Sequence, residues 1–255
     1  MKIGILYKKT ERAKAAAARA KEELLSLGAE AFFLGESGDK PDRVLVVGGD
    51  GTVLKAVRAF SVPVIGVNYG TLGFLCEFEA EELDKACRLA VNENAALVKR
   101  TMIEAQYRGV SYPCLNEISF LRRIDERSSN GTVTLETEID GVSLGKTVSD
   151  GVILSTPTGS TAYSRSAGGP LLTPDCANFI LTPVCPFRTA GTSFVYPDDH
   201  TVNVRVVEGG ELLLYCDGLC VGTATEITVK KSEKIATFLT GDAAGFLRRF
   251  IQKIN

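Results

Sequence analysis

In the first part of the chain, short apolar runs alternate with stretches of helical character, and this alternation limits the possible folds more than any other feature. Residues 3–7, 29–34, 44–47 and 64–67 read as strands. Among them lie an alanine-rich amphipathic helix over residues 11–27 that Gly28 ends, a helix from Thr52 to about Phe60, and a helix near residues 80–91. Strands separated by helices predict a parallel sheet with helices on both faces. Ligands of such sheets sit beyond the carboxyl ends of the strands, where residues 48–52 and 68–73 both fall. The two loops are expected to face one crevice.

After about Leu97 the texture changes to short alternating strands with turn signals, at residues 98–108, 115–122, 132–139, 143–154, 201–207, 211–216 and 226–230. The final stretch, IATFLTGDAAGFLRRFIQKIN, reads as a strand and then a terminal helix from about Ala243, with Phe246, Leu247, Phe250 and Ile251 at helical spacing. The expected fold is therefore an α/β N-terminal domain with a parallel sheet, plus a mainly β C-terminal domain. The terminal helix returns to the first domain. The boundaries read as 1–96 joined by 236–255, and 97–235.

Composition removes several functions. At 255 residues, with 45% hydrophobic and 24% charged residues, the chain can build a sizeable core. A net charge of -2 offers no basic field for nucleic acid, and no stretch approaches the ~20 apolar residues of a membrane span. The opening MKIGILYKK is too short in apolar residues for a signal peptide. Seven cysteines, with no C-x-x-C pair, fit a reduced cytoplasmic chain. Cys185, Cys216 and Cys220 lack a standard zinc spacing, and small buried hydrophobes are the expected role of the cysteines. His200 is the single histidine, in YPDDHTVNV, and reads as a turn residue entering a strand rather than a catalytic base.

Three stretches carry chemistry. The first is RVLVVGGDGTVLKAV, where a buried strand breaks into Gly48-Gly49-Asp50-Gly51-Thr52. Glycines let the backbone approach a ligand, and the following helix offers unpaired N–H groups suited to phosphate. An aspartate there would repel phosphate, so it needs another task. Asp50 is either a cap for the helix or a base or metal-linked carboxylate at a reacting centre. Lys55, one turn on, either reaches a phosphate or is solvated.

The second stretch is SDGVILSTPTGSTAYSRSAGGP, residues 149–170, which runs from a strand into a segment dense in hydroxyls. It offers backbone N–H groups, hydroxyls and one aromatic face, which suits a sugar and a base. The alternative is a mobile Ser/Gly-rich linker. The third is CLNEISF, where Asn116 and Glu117 interrupt an apolar strand. Either the strand ends or bulges into a site that reads ribose hydroxyls and an adenine amino group, or it is a bulged edge strand with Glu117 in solvent. DGVSLGKT resembles a Walker A loop, but only three residues separate Gly141 from Gly145 where that loop needs four, so it reads as a hairpin turn.

Together these stretches resemble the NAD kinase family. The resemblance rests on GGDGT at 48–52, GTLGFL at 70–75, LNE at 115–117, DGVILSTPTGSTAYSRSAGGP at 150–170, CPFR at 185–188 and CDG at 216–218. It implies transfer of a terminal phosphate from ATP, or polyphosphate, to the 2′-hydroxyl of the adenosine ribose of NAD. By the same resemblance Asp50 is the general base, and Gly49, Gly51, Thr52 and Lys55 lie along the nucleotide. Asn116 and Glu117 hold the adenosine ribose and base, while Thr158, Thr161, Ala162, Tyr163 and Ser166 line the NAD pocket. Asp150 reaches the nicotinamide end from a neighbouring subunit, which implies a homodimer or homotetramer.

The implied chemistry agrees with the residues. Phosphoryl transfer is mainly positioning and charge stabilisation, so a weak base suffices, and an aspartate of ordinary pKa ~3.9 is ionised at pH 7. Mg²⁺ or another divalent ion would arrive largely with the nucleotide, since no acidic cluster has metal-ligand spacing. Thr71, Val148 and Leu219 depart from the family pattern at positions that bear on NAD versus NADH preference and on the donor. Two other readings share parts of the pattern: a lipid or small-molecule kinase with the same glycine-aspartate loop, and an NAD-binding sensor that transfers nothing.

Overall fold

The computed structural model describes residues 1–36, 38–71, 73–123, 131–187, 191–241 and 251. Contacts divide it into two compact units, one of Met1–Lys99 with the described residues from Ala236 onward, the other of Arg100–Ile235. The expected terminal helix from Ala243, with Phe246, Leu247 and Phe250, lies outside the described residues.

In the first unit the elements are β1 (Lys2–Tyr7), α1 (Glu11–Ser26), β2 (Glu30–Phe33), β3 (Arg43–Gly48), α2 (Asp50–Ala59), β4 (Val64–Asn68), a two-residue β5 (Phe78–Glu79) and α3 (Leu83–Val91). Pairing is parallel throughout, in the order β5, β4, β3, β1, β2. Residues 44–48 are all buried, which explains why this strand reads as an unbroken apolar run. One set of alternate side chains, Ile3, Ile5, Leu45, Val47, Ile65 and Val67, packs with the alanine stripe of α1 and with Leu83, Ala86 and Ala90 of α3. Helix α2 buries Val53, Ala56 and Val57. Thr10 caps α1 through its side chain, which accepts from the Ala13 N–H, and Gly28 leaves the helix at φ +81.

The second unit opens in β6 (Ala96–Tyr107) and continues with β7 (Val110–Cys114), β8 (Glu117–Leu121), β9 (Val133–Ile139), β10 (Val142–Ser149), β11 (Gly151–Ser155), the short helix α4 (Tyr163–Ser166), β12 (Asn178–Val184), β13 (Phe194–Pro197), β14 (Val202–Glu208), β15 (Leu212–Cys216), β16 (Leu219–Ala224) and β17 (Glu226–Thr240). An antiparallel sheet runs β13-β12-β11-β8-β15-β16, and β10-β9-β14 pair with the start of β17. Ile118, Phe120, Val152, Leu154, Leu212 and Leu214 from the first group pack with Val133, Leu135, Val202, Val204, Ile227 and Val229 from the second. The end of β17 belongs to the first unit, where Phe238 pairs in parallel with Val64.

Several expectations need correction. The strand expected over residues 143–154 is two strands in two sheets, parted at Asp150, because Gly151 takes φ +146 and the Ser149 hydroxyl bonds across the break to the Gly151 backbone. Helix α2 starts at Asp50, two residues early, with Gly49 as its cap. β17 is one fifteen-residue strand rather than two. β7, β12, β13 and β16 were not foreseen. Three two-residue turns, Arg108-Gly109, Asp140-Gly141 and Asp217-Gly218, carry consecutive positive φ angles, so the Walker-like stretch is indeed a hairpin.

Candidate active site

In the first unit the two glycine loops meet. Asp50 is the first residue of α2, and its two carboxylate oxygens accept hydrogen bonds from the backbone N–H of Phe74 at 2.8 Å and of Leu75 at 3.0 Å. Those N–H groups belong to the GTLGFL stretch, which Asn68 shapes. The Asn68 side chain accepts from Gly70 N–H at 2.9 Å and donates to Glu79 at 2.9 Å. Bare glycine permits the approach, since a β-carbon at Gly70 would lie 3.3 Å from the Gly49 α-carbon and one at Gly73 would lie 3.1 Å from the Asp50 carboxylate. The carboxylate is thus aimed by two donors and favoured by the helix N-terminus.

The neighbours of Asp50 divide by side. Thr52 is buried, and its side chain fills the place that a β-carbon on Gly48 would need. Gly51 is exposed, and a β-carbon there would meet nothing within 4 Å among the described residues. Lys55 lies one turn along α2 and is exposed.

In the second unit, Asn116 and Glu117 are both buried at 8% exposure, so the reading of Glu117 as a solvated edge residue is overturned. The backbone bends between β7 and β8, and Glu117 opens β8, a central strand flanked by β11 and β15. Its side chain is on the sheet face opposite Ile118 and Phe120 and pairs across to Ser155. The turn that follows β11 covers that face. Thr158–Thr161 forms a single helical turn and Tyr163–Ser166 a short helix, so the hydroxyl-rich stretch is a built loop rather than a linker.

Hydrogen bonds lock this loop to the Asn-Glu segment. Thr156 donates its hydroxyl to the Leu115 carbonyl at 2.6 Å and its N–H to the Asn116 carbonyl at 2.9 Å. Gly159 passes so close that a β-carbon would lie 2.1 Å from the Asn116 carbonyl oxygen. Ser160 bonds to Pro157 and to both backbone groups of Leu172, and Ser164 to Thr182 at 2.9 Å. Thr158 is buried, Thr161 and Ala162 are half-buried, and Tyr163 and Ser166 are exposed.

Burial, and then the nearby Asp217 carboxylate, push the Glu117 carboxyl up to about 7, while a hydrogen bond from the Tyr163 backbone opposes them. Among the described residues, Glu117 Oε2 is buried without a hydrogen-bond partner. A buried acceptor left open is costly unless something fills it.

Asp150 lies further from Glu117, although its charge raises the Tyr163 phenol. It precedes β11, whereas Ser155, the partner of Glu117, ends it, a separation of roughly 15 Å at ~3.3 Å per residue. Its carboxylate accepts from Arg122 Nε at 2.6 Å, a partner not foreseen. His200 contacts Asp140 through Nδ1 at the β9–β10 turn, which raises the histidine's pKa and lowers that of the aspartate. That contact gives His200 a turn-bracing role. Cys76, Cys87, Cys114 and Cys216 are buried, but Cys185 and Cys220 are exposed and Cys176 is intermediate, against the expectation that all pack inside. Among the described residues no group of three His, Cys, Asp or Glu is placed to hold a metal.

Two family models match the chain: the ATP-NAD kinase N-terminal domain over residues 4–95 and the ATP-NAD kinase C-terminal domain over residues 115–240. The chain belongs to the NAD kinase family. It is 34% identical over 224 residues to an NAD kinase of Aquifex aeolicus, covering 83% of this chain and 80% of that protein. To an NAD kinase of Chlorobaculum tepidum it is 38% identical over 198 residues, covering 75% of this chain and 69% of that one. The crystal structure of an NAD kinase from Archaeoglobus fulgidus in complex with ATP matches with a TM-score of 0.85 and 28% identity, over 100% of this chain and 98% of that one. The α/β unit with its parallel sheet and the antiparallel β unit are thus those of NAD kinases.

Proposed function

We infer that this chain is an NAD kinase, which transfers the terminal phosphate of MgATP, or of polyphosphate, to the 2′-hydroxyl of the adenosine ribose of NAD. Family membership supports the reaction, and the observation that carries the mechanism is the setting of Asp50. Its carboxylate is fixed by Phe74 and Leu75 at the start of a helix, beside the open surface of Gly51. In that setting it accepts the acceptor hydroxyl's hydrogen bond and takes the proton as the new O–P bond forms and the bond to the leaving diphosphate breaks. The glycine backbone, with the exposed Lys55 on the same helix, accommodates donor phosphate.

Asn116 and Glu117 take the adenosine, the open Oε2 of Glu117 accepting from a ribose hydroxyl. Thr158, Thr161, Ala162, Tyr163 and Ser166 form the wall of the NAD pocket. Mg²⁺ enters as part of the MgATP substrate, held mainly by the phosphates, whose charge it neutralises. Asp150 serves the nicotinamide end of an NAD molecule held by a neighbouring copy of the chain, as the family resemblance implies, in a homodimer or homotetramer. The place of action is the cytoplasm, in keeping with seven free cysteines, and among the described residues no helix is long and apolar enough to cross a membrane.

The test is NADP formation from NAD with MgATP or polyphosphate, read as NADPH through an NADP-specific dehydrogenase and repeated with chelator. NADP formation that stops when the chelator is added is the expected result. NAD binding with neither donor used would turn the protein into a sensor, and phosphorylation of lipid with indifference to NAD would place it with lipid kinases.

A further inference from the structure

Asp217 has no assigned part in this reaction, yet its carboxylate organises the segment that contains Asn116 and Glu117. It sits at the β15–β16 turn with φ 46, followed by Gly218 at φ 74. One oxygen accepts from Leu115 N–H at 2.8 Å, and the other from Asn116 N–H at 2.8 Å and Glu117 N–H at 3.2 Å. The Asp217 N–H in turn donates to the Glu117 carbonyl at 3.0 Å.

Successive N–H groups in a strand point to opposite sides, so three in a row can converge on one group only where the strand is bent into an anion-holding nest. Here the anion comes from the chain itself. Without it, three N–H groups in a buried segment would lose their acceptor. Both carboxylate oxygens are in use, so an amide cannot replace it: asparagine would accept the left-handed backbone but turn an NH₂ toward one of these donors.

We infer that Asp217 is the positioning residue of the adenosine pocket: its carboxylate bends residues 115–117, sets the directions of the Asn116 and Glu117 side chains, and holds a negative charge behind Glu117. This rests on the reading of Asn116 and Glu117 given above. The titratable groups around Glu117 are Asp217, the Tyr163 phenol and the Cys114 thiol, which also faces Cys216. Burial raises the phenol and the thiol, so both keep their protons at neutral pH, and Asp217 is the charge that Glu117 meets.

The test compares wild type with Asp217→Asn and Asp217→Gly, both compatible with the turn. NAD affinity is measured by calorimetry from pH 5.5 to 8.5, and kcat and KM with MgATP. The expected result is an NAD KM raised about tenfold or more with kcat at saturating NAD within about threefold. The acid limb of NAD binding also moves to lower pH, because Glu117 no longer faces a charge. In a Glu117→Gln background, Asp217→Asn leaves the pH profile where it was. Loss of affinity with an unmoved profile, or no change in either, overturns the inference.

If neither variant folds, a carbon-13 titration of the wild-type side chains decides. The amide resonances of Leu115, Asn116 and Glu117 must follow the titration of the Asp217 carboxyl, and amides that do not follow it overturn the inference. Wild type that neither binds nor turns over NAD sinks the reading of the site itself, whereas an active wild type with an indifferent Asp217→Asn sinks this inference alone.

Discussion

The Asp50 carboxylate accepts the backbone N–H of Phe74 at 2.8 Å, twenty-four residues further along the chain. The carboxylate of the first glycine loop is therefore aimed by the second. Its helix position alone would leave χ1 free to choose among rotamers, and the Phe74 and Leu75 donors remove that choice.

Gly51→Ala separates fold from function. The new methyl meets no atom of the described residues, and alanine is favoured over glycine inside a helix by about 1 kcal/mol. A denaturation midpoint equal to or above wild type is expected, together with a kcat/KM lowered about tenfold or more. Unchanged kinetics would mean that no substrate passes over Gly51.

Gly159→Ala has the opposite character. Its methyl would collide with the Asn116 carbonyl, a backbone atom in a buried segment, so a loss on the order of 3 kcal/mol is expected. Urea unfolding measures it. A variant as stable as wild type would show that the loop does not press on residues 115–117.

Glu117 makes stability depend on pH. Folded, it holds its proton to about pH 7; unfolded, it releases it near ~4.3. Between those values the folded state binds more protons, so stability falls as pH rises through this window and levels off above it. Glu117→Gln should match wild type near pH 4 and exceed it at pH 8 by on the order of 3 kcal/mol. Urea midpoints at the two pH values check this, and a variant less stable at pH 8 would contradict it. NAD should narrow the difference in wild type by supplying donors to the open oxygen.

Asn68→Ala tests the loop that aims Asp50. Removing its side chain takes this acceptor from Gly70 N–H and this donor from Glu79 and is expected to cost about 1–2 kcal/mol in stability. If the loop then shifts Phe74 and Leu75, kcat falls at least tenfold with NAD affinity unchanged. A kcat equal to wild type would detach this network from catalysis.

The parallel sheet was legible because its strands are buried on both faces and read as unbroken apolar runs such as Val44–Val47. The Asp50 loop stood out for a related reason, an acid among glycines at the end of such a run. Strands such as β7 and β16 were not legible, since short segments containing proline or glycine, half exposed, lack a period to read. The break at Asp150 was hidden because Gly151 looks like any strand glycine until its φ of +146 is seen. Asp217 was visible only as half of an Asp-Gly turn, and its grip on residues 115–117 depends on strands one hundred residues apart lying side by side.

The most direct measurement is NADP formation by wild type and Asp50→Asn, each with NAD and MgATP, beside calorimetric NAD binding. The account predicts that the variant loses several orders of magnitude in turnover while its NAD affinity stays within a few-fold. A variant that keeps wild-type turnover would contradict it, because the carboxylate held by Phe74 and Leu75 would then not be the group that receives the ribose proton.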